Sequence, residues 1–183
     1  MTKYIVLGRF QPFHMGHAHL VKSAHGMLSS GDELVLAIGS KQAEWEPDNP
    51  WTAIERQAMI QAWADAEEVV CSIVAIDDIN DPPNWVSHAS KTHGIGTLVT
   101  TDTATSNLYK EAQFEVKDVE MNERERLEGW RVRQTAKMLS TVYDDDAVRE
   151  VLKASMPQPV IEWLIENDAL FRLSTFETGV YAG

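Results

Sequence analysis

Residues 4–17 read YIVLGRFQPFHMGH: an apolar run, then a turn rich in glycine, proline and histidine. The run at residues 4–8 predicts a buried strand, and Leu20, Ala24 and Leu28 follow it at helical spacing. A strand that leads directly into a helix is the first half of a β-α-β unit. We therefore expect the chain to begin with a strand, a tight turn and a helix.

The alternation of strand and helix continues downstream. Apolar runs predict further strands at residues 34–38, 69–76, 97–100 and 114–116. Helical patterns separate them, at residues 52–64, 85–92 and 106–111. The first of these helices opens with a capping-box pattern, Thr52 with Glu55. Near-continuous apolar strands between helices are typical of a parallel sheet, so we predict the α/β class with helices on both faces of the sheet.

The remainder of the chain is predicted to be helical. Ser155 before Pro157 opens one clear helix, and Asp144-Asp145-Asp146 fits an acidic helix N-terminus better than a metal site. A length of 183 residues fits one domain. We therefore predict a single domain over residues 1–183, with a parallel α/β core at about 1–128 and a small helical extension at about 129–183.

Composition excludes several classes of protein. The chain has 16 Lys and Arg against 28 Asp and Glu, a net charge of -12 that repels nucleic-acid backbones, so we expect no nucleic-acid partner. Its one cysteine, Cys71, cannot form an internal disulfide and is predicted to be a buried strand thiol. Apolar runs are too short for a signal peptide or a membrane helix. We predict a cytoplasmic protein with no membrane contact.

The turn after the first strand carries the candidate site. In open α/β sheets, ligands bind beyond the carboxyl ends of the strands, and a helix N-terminus there attracts phosphate. His14 and His17 lie about one helical turn apart, Arg9 adds a cation, and Gly8 and Gly16 permit close approach. Two histidines could also bind zinc, but no third ligand is evident, so we predict no protein metal site.

The segment from Gly8 to His17 resembles the signature of the nucleotidylyltransferase superfamily, a histidine pair of the form His-x-Gly-His. Other segments extend the resemblance to archaeal-type nicotinamide mononucleotide (NMN) adenylyltransferases: Ile38-Gly39-Ser40-Lys41-Gln42, Asn49-Pro50-Trp51-Thr52, Glu55-Arg56, Asp78-Ile79 with Trp85 seven residues after Asp78, and Met156-Pro157. The resemblance implies a Rossmann-like sheet and the transfer of AMP from ATP to NMN, giving NAD and pyrophosphate.

The resemblance also implies roles for individual residues. Those expected to contact ATP are Gly8, Arg9, Phe10, His14, Gly16, His17, Lys41, Thr100 and Arg133, of which Arg9, His14, His17 and Arg133 are expected to be catalytic. Those expected near NMN are Phe13, Arg56, Asp78, Asn84 and Trp85. Phe13 and Trp85 could instead belong to the core, and Arg56 to a surface ion pair. Mg²⁺ is expected to accompany the ATP phosphates, and a homo-oligomer is expected.

Four positions depart from the pattern of this family. The family carries a second phosphate-binding motif near the C-terminus, which aligns with residues 128–133 of this chain. Glu128 and Trp130 replace its two hydroxyl residues, whereas Arg133 is retained. Other arginines lie nearby, at Arg124, Arg126 and Arg131. Pro82 replaces an Asn, which leaves amide recognition to Asn80, Asn84 or the backbone. Asp48 replaces an Arg of some relatives. Two alternatives therefore stay open: a related transferase acting on nicotinate mononucleotide, FMN or pantetheine phosphate, and a non-catalytic ATP or NAD sensor.

Overall fold

The sheet is parallel throughout, as the sequence predicts. A computed structural model of the chain describes residues 1–121 and 127–176, so Arg124 and Arg126 lie outside the described residues. The strands are β1 (Lys3–Gly8), β2 (Glu33–Ile38), β3 (Ser72–Ala75), β4 (Thr97–Thr100) and β5 (Glu115–Asp118). They lie in the order β3-β2-β1-β4-β5, and every neighbouring pair is parallel.

Helices cover both faces of this sheet. They are α1 (Met15–His25), α2 (Ala53–Ala66), α3 (Pro82–His93), α4 (Thr103–Glu111), α5 (Gly129–Met138), α6 (Asp145–Leu152) and α7 (Gln158–Glu166), followed by a short 3-10 helix (Phe171–Thr175). Val6 of β1 packs with residues of α1, α2 and α7, whereas its neighbour Ile5 packs with Val86 of α3 and Tyr109 of α4. Successive strand residues point to opposite faces, so one strand supports both layers.

The C-terminal helices join the core of the sheet. Val132 of α5, Leu152 of α6 and Ile161 of α7 belong to the same buried cluster as Val6. Met15 N donates to Ser155 O at 2.8 Å, which fixes the approach to α7 against the start of α1. Asp144 caps α6 by accepting from two backbone N–H groups, which confirms the predicted acidic helix N-terminus. No helix in the described part of the chain is long and apolar enough to cross a membrane.

The third strand is shorter than the sequence predicts. Its pairing with β2 begins only at Ser72, because the chain first turns through Glu68 with φ of 55°. Val70 is therefore 84% exposed and Cys71 is half-buried ahead of the strand. The prediction of a buried strand thiol at Cys71 was wrong, since an apolar run does not reveal where a turn ends. The helices α3 and α4 each begin three residues earlier than predicted, at Pro82 and Thr103.

Candidate functional site

The candidate site lies at the point where the strand order of the sheet reverses, between β1 and β4. β1 pairs with β2 on one side and with β4 on the other. The connection from β1 to β2 runs through α1, and the one from β3 to β4 runs through α3 on the opposite face. The chain segments after β1 and β4 therefore diverge and leave a crevice at the carboxyl edge of the sheet. The turn from Arg9 to His14 borders this crevice.

Two histidines cap the helix that leaves this turn. His14 is the N-cap residue of α1, and its Nδ1 accepts from Gly16 N at 3.1 Å. The backbone N–H of His14 donates to His17 Nδ1 at 3.3 Å, so the two residues form a reciprocal capping box. The imidazole rings stack with centroids 3.7 Å apart and an interplanar angle of 26°. The predicted pairing of His14 and His17 at the helix N-terminus is thus present in the structure.

The capping box also sets the protonation of the rings. A nitrogen that accepts from a backbone N–H carries no proton, so each neutral ring bears its proton on Nε2. Burial, with Arg133 contributing, lowers the pKa of His14 to about 4. Burial and His14 lower the pKa of His17 well below its usual value, while the Pro12 backbone opposes the shift. Both imidazoles are therefore neutral near pH 7.

We expect this pair of histidines to make folding stability depend on pH below about 6.5. A histidine with a lowered pKa binds fewer protons when folded, so its contribution is intact above the unfolded pKa of 6.5 and is lost as the pH falls towards 4. The contribution of His14 at pH 4.5 is about 2 to 3 kcal/mol less than at pH 7. Denaturant unfolding at both pH values should show a smaller loss in His14→Asn than in the wild type. Equal losses would contradict the lowered pKa.

Four residues of the segment from Gly8 to His17 pack around the two histidines on the side of the core. Phe10 is almost fully buried, with its ring 4.8 Å from that of His17, and Phe13 packs on Trp63 at 4.8 Å. A β-carbon at Gly8 would come within 3.0 Å of the Phe10 ring. A β-carbon at Gly16 would come within 3.0 Å of the His14 ring. The space at both glycines is thus taken by rings of the protein rather than left for a ligand.

This packing corrects two predictions. Phe13 was expected beside NMN, but its side chain is fully buried in the core. Phe10 was expected to contact ATP, but its ring is almost fully buried and packs against His17. An aromatic residue next to a phosphate motif looks the same in a sequence whether it faces the ligand or the core.

Cationic side chains flank the histidines. Arg133 of α5 is largely buried: its Nη1 donates to Gln11 O at 3.0 Å and its Nη2 to Asp48 Oδ1 at 3.1 Å. Arg9 is exposed, and its Nη1 donates to Asn49 Oδ1 at 3.4 Å. Burial lowers the pKa of Arg133, Asp48 opposes the shift and Arg9 adds to it. Two guanidinium groups that repel each other next to neutral N–H donors make an anion-binding site.

Arg56 does not occupy the place that the sequence predicts. It is fully buried, and its five N–H groups donate to backbone carbonyl oxygens of Thr52, Arg9, Gly39, Ser40 and Lys41. Burial and Arg9 lower its pKa to about 10, with Glu44 opposing, so it stays ionised. Neither a contact with NMN nor a surface ion pair fits this geometry. Arg56 instead ties the turn after β1 to the β2–α2 loop (residues 39–52).

Gln11 is a positioning residue that sequence reasoning missed. Its Nε2 donates to Trp51 O at 2.8 Å, and its Oε1 accepts from Trp51 N at 3.0 Å. Its backbone oxygen accepts from Arg133, as described above. Trp51 is itself buried and donates through Nε1 to Ala169 O at 3.1 Å. The signal was present in the sequence, because Gln11 and Trp51 both lie in segments that resemble the family, but their contact spans 40 positions.

A second pocket lies on the other side of the crevice, at the start of α3. It is a cavity of about 380 Å³ lined by Asp78, Asn80, Asp81, Pro82, Trp85 and Leu108. Asp78 joins this pocket to the β2–α2 loop, because Asp78 N and O pair with the Gln42 amide at 2.9 Å each. Asn84 is exposed and donates to the Asp81 carboxylate at 2.7 Å, and it is Asn80 rather than Asn84 that lines the cavity.

The remaining predicted ATP contacts lie at the same edge of the sheet. Thr100 ends β4 and is buried, and its hydroxyl accepts from Asp102 N at 3.1 Å. Lys41 is exposed in the β2–α2 loop. In the altered second motif, Glu128 stands at the N-cap of α5 without capping it and accepts from Trp130 Nε1 at 2.6 Å. Among the described residues, no three His, Cys, Asp or Glu side chains form a group that could hold a metal ion.

Comparison with known proteins identifies the family of this chain. Residues 5–161 match the cytidylyltransferase-like family. The nicotinamide-nucleotide adenylyltransferase of Thermoplasma acidophilum is 32% identical over 175 residues, which is 94% of this chain and 90% of that protein. The enzyme of the same name from Methanolobus tindarius is 31% identical over 176 residues, covering 96% of this chain and 94% of that protein.

Solved structures share the fold. Two structures of a bifunctional NMN adenylyltransferase/ADP ribose pyrophosphatase from Francisella tularensis are similar to this chain. One has a TM-score of 0.60 at 20% identity, covering 75% of this chain and 43% of that one. The other, a complex with AMP and a manganese ion, has a TM-score of 0.61 at 18% identity, covering 97% of this chain and 58% of that one. The chain thus spans less than two thirds of either bifunctional protein.

Proposed function

The chain belongs to the cytidylyltransferase-like family, and from its nicotinamide-nucleotide adenylyltransferase relatives we infer that it transfers AMP from ATP to NMN, giving NAD and pyrophosphate. The NMN phosphate attacks the α-phosphorus of ATP, and the bond from that phosphorus to the pyrophosphate leaving group breaks. The attacking phosphate is already ionised at neutral pH. The protein therefore has to align the two substrates and neutralise charge in the transition state rather than supply a strong base.

One observation carries this function: the stacked, neutral pair of His14 and His17 at the N-terminus of α1, with Arg133 beside it. Neutral Nε2–H groups donate to phosphate oxygens without taking up a proton from them, and the guanidinium group supplies the positive charge. We assign the ATP phosphates to Arg9, His14, His17 and Arg133, with Lys41 and Thr100 at the same edge. Gly8, Phe10 and Gly16 serve by keeping the imidazoles in place.

The cavity beside α3 is assigned to the nicotinamide end of NMN. Trp85 presents a half-buried indole to this cavity, and the positively charged nicotinamide ring is a good partner for an aromatic face. Asp78 shapes the pocket through the two hydrogen bonds between its backbone and the Gln42 amide. Asn80 lines the pocket, and we assign it to the carboxamide group of NMN. This arrangement favours a flat, cationic acceptor over a flexible pantetheine arm.

We expect Trp85→Ala to raise the KM for NMN by about tenfold, because loss of a cation–π contact costs about 1 to 2 kcal/mol. The KM for ATP should change little, since the ATP groups lie on the other side of the crevice. Trp85→Phe is the matched variant: it keeps an aromatic face and should retain most of the affinity. Steady-state kinetics with each substrate varied in turn would measure this. An unchanged KM for NMN in Trp85→Ala would remove Trp85 from the acceptor site.

A divalent cation is expected to accompany ATP, and we propose Mg²⁺. The described residues offer no acidic cage, so the triphosphate itself would supply most of the ligands, as is common for Mg²⁺. The cation would offset negative charge on the pyrophosphate leaving group. From the resemblance to the family we also propose a homo-oligomer and a cytoplasmic location.

The direct test is to incubate the purified protein with ATP, Mg²⁺ and either NMN or nicotinate mononucleotide, and to follow dinucleotide and pyrophosphate together. Parallel reactions with FMN and with pantetheine phosphate test the other acceptors. We expect equal amounts of NAD and pyrophosphate from NMN. Binding of ATP without release of pyrophosphate would contradict the proposed transferase and favour a sensor. Product from FMN or pantetheine phosphate alone would contradict NMN as the acceptor.

A further inference from the structure

The β2–α2 loop places acceptor oxygens on both arginines that are assigned to the ATP phosphates. Asp48 Oδ1 accepts from Arg133 Nη2 at 3.1 Å, and Asn49 Oδ1 accepts from Arg9 Nη1 at 3.4 Å. Two successive residues of one loop thus approach two guanidinium groups that come from distant parts of the chain. A carboxylate and a phosphate bind a guanidinium group through the same kind of N–H···O contact. The Asp48 carboxylate therefore occupies a contact that a phosphate oxygen would use.

The loop is held so that Asp48 stays near Arg133. After Asp48, Arg172 donates to Pro50 O at 2.9 Å and pairs with Glu55 at 2.6 Å. Before it, the ring of Trp45 lies under the Arg172 guanidinium group at 3.7 Å. Arg172 thus contacts the loop on both sides of Asp48, through the Trp45 ring before it and the Pro50 backbone after it. Rotation of the Asp48 side chain alone would free Arg133 from this contact.

The contact is suited to displacement. The Arg133 side chain is 10% exposed, whereas that of Asp48 is 78% exposed, so the carboxylate can return to water at small cost. The two residues also line a cavity of about 330 Å³ with Pro47, Trp130, Gln134 and Lys137, which leaves room for the side chain to turn aside. Arg133, by contrast, stays fixed through Gln11 O at 3.0 Å.

We propose that Asp48 lowers the affinity of the enzyme for ATP, because its carboxylate holds Arg133 in the free protein and must be displaced by the triphosphate. This inference rests on the proposed function, since it takes Arg133 as a phosphate contact. Asp48 acts on the substrate in two ways: it competes for Arg133, and its charge repels the polyanion. It is a determinant of ATP affinity and takes no part in the transfer itself.

Asp48→Asn tests the proposal, because it removes the charge and keeps the shape. The variant should lower the KM for ATP by about fivefold, as expected for a largely exposed ion pair, with kcat and the KM for NMN nearly unchanged. Glu44→Gln is the matched control: it removes one charge from the same loop, and Glu44 acts electrostatically on Arg56. The control should leave the KM for ATP within about twofold of the wild-type value. A similar decrease in both variants would show a general charge effect and overturn the proposal.

A double-mutant cycle with Arg133→Gln separates competition from repulsion. Its readout is the dissociation constant of inorganic tripolyphosphate, measured by calorimetry, which needs no turnover. Asp48→Asn should tighten tripolyphosphate binding in the wild-type background and have a clearly smaller effect in the Arg133→Gln background. Equal effects in the two backgrounds would overturn the proposed competition. If the wild type makes NAD but Asp48→Asn changes neither the KM for ATP nor the dissociation constant of tripolyphosphate, the inference fails and the proposed function stands. If no NAD forms, the proposed function fails, and the calorimetric cycle still decides whether Asp48 competes for Arg133.

Discussion

His14→Asn should lower kcat by about 10²- to 10³-fold while helix α1 keeps its cap. The Oδ1 of asparagine can take the place of His14 Nδ1 and accept from Gly16 N, and asparagine is a favourable N-cap residue. The variant therefore keeps the cap but loses the Nε2–H group that is assigned to the ATP phosphates, together with the ring that stacks on His17. A donor that binds the developing charge in a water-excluded site contributes about 3 to 4 kcal/mol to transition-state stabilisation.

The matched control is His25→Asn, which changes an exposed histidine at the end of the same helix. It should leave kcat unchanged, and circular dichroism of the two variants should show the same helix content. Single-turnover measurement of NAD formation would separate the chemical step from product release. Full activity in His14→Asn would contradict the role of its imidazole in the transfer.

Arg56→Met should lower the free energy of unfolding by about 3 to 5 kcal/mol, because it removes several hydrogen bonds that a buried charged group makes. The substitution leaves the carbonyl oxygens of Arg9, Gly39, Ser40 and Lys41 without the N–H groups that they now accept from. Each buried carbonyl group that loses its partner costs about 1 to 3 kcal/mol, partly relieved where water can enter. We also expect activity to fall, because Arg9 lies in the turn that Arg56 holds.

Arg131→Met is the control for this experiment, since Arg131 is half-exposed and pairs only loosely with Glu128 at 3.6 Å. Its unfolding free energy should stay within about 0.5 kcal/mol of the wild type. Arg56→Lys should rescue little, because an ammonium group has three donors on one atom and cannot span the carbonyl groups that the planar guanidinium group reaches. Urea unfolding at pH 7.5 would measure all three variants. A wild-type midpoint for Arg56→Met would mean that these hydrogen bonds contribute nothing to stability.

The sequence predicts most of the sheet correctly, because buried parallel strands are local, apolar and bounded by clear turns. The Thr52–Glu55 capping box is confirmed, with Thr52 N donating to Glu55 Oε2 at 2.8 Å and Glu55 N to Thr52 Oγ1 at 3.2 Å. The histidine pair is predicted equally well, since its spacing and its place after a strand are both local features. The predicted start of β3 is wrong by a few residues at Val70, because the turn at Glu68 sets where this strand begins, whatever the strand propensity of the residues.

The site is less predictable, because side-chain direction depends on contacts that are distant in sequence. Phe13 packs against Trp63, which lies 50 residues later in the sequence. Arg56 donates to the backbone oxygen of Arg9, 47 residues earlier. A cation near a helix N-terminus is disfavoured by the helix dipole, so the sequence suggests a phosphate or carboxylate partner for Arg56, and this is wrong. The sequence does not reveal that the partners are backbone carbonyl groups. The pairing of Asp48 with Arg133 across 85 positions lies equally beyond local reasoning.

The strand order has a consequence for how the protein is made. β1 leaves the ribosome before the other four strands of this sheet, yet it lies at the centre of the sheet, between β2 and β4. Until Thr97–Thr100 has been synthesised, a nascent chain carries β1 with one edge unpaired and its apolar residues Ile5 and Leu7 uncovered by α4. Unpaired apolar edges favour association between chains. Truncated products that end before β4 should therefore aggregate, and the crevice for nucleotides can form only late in translation.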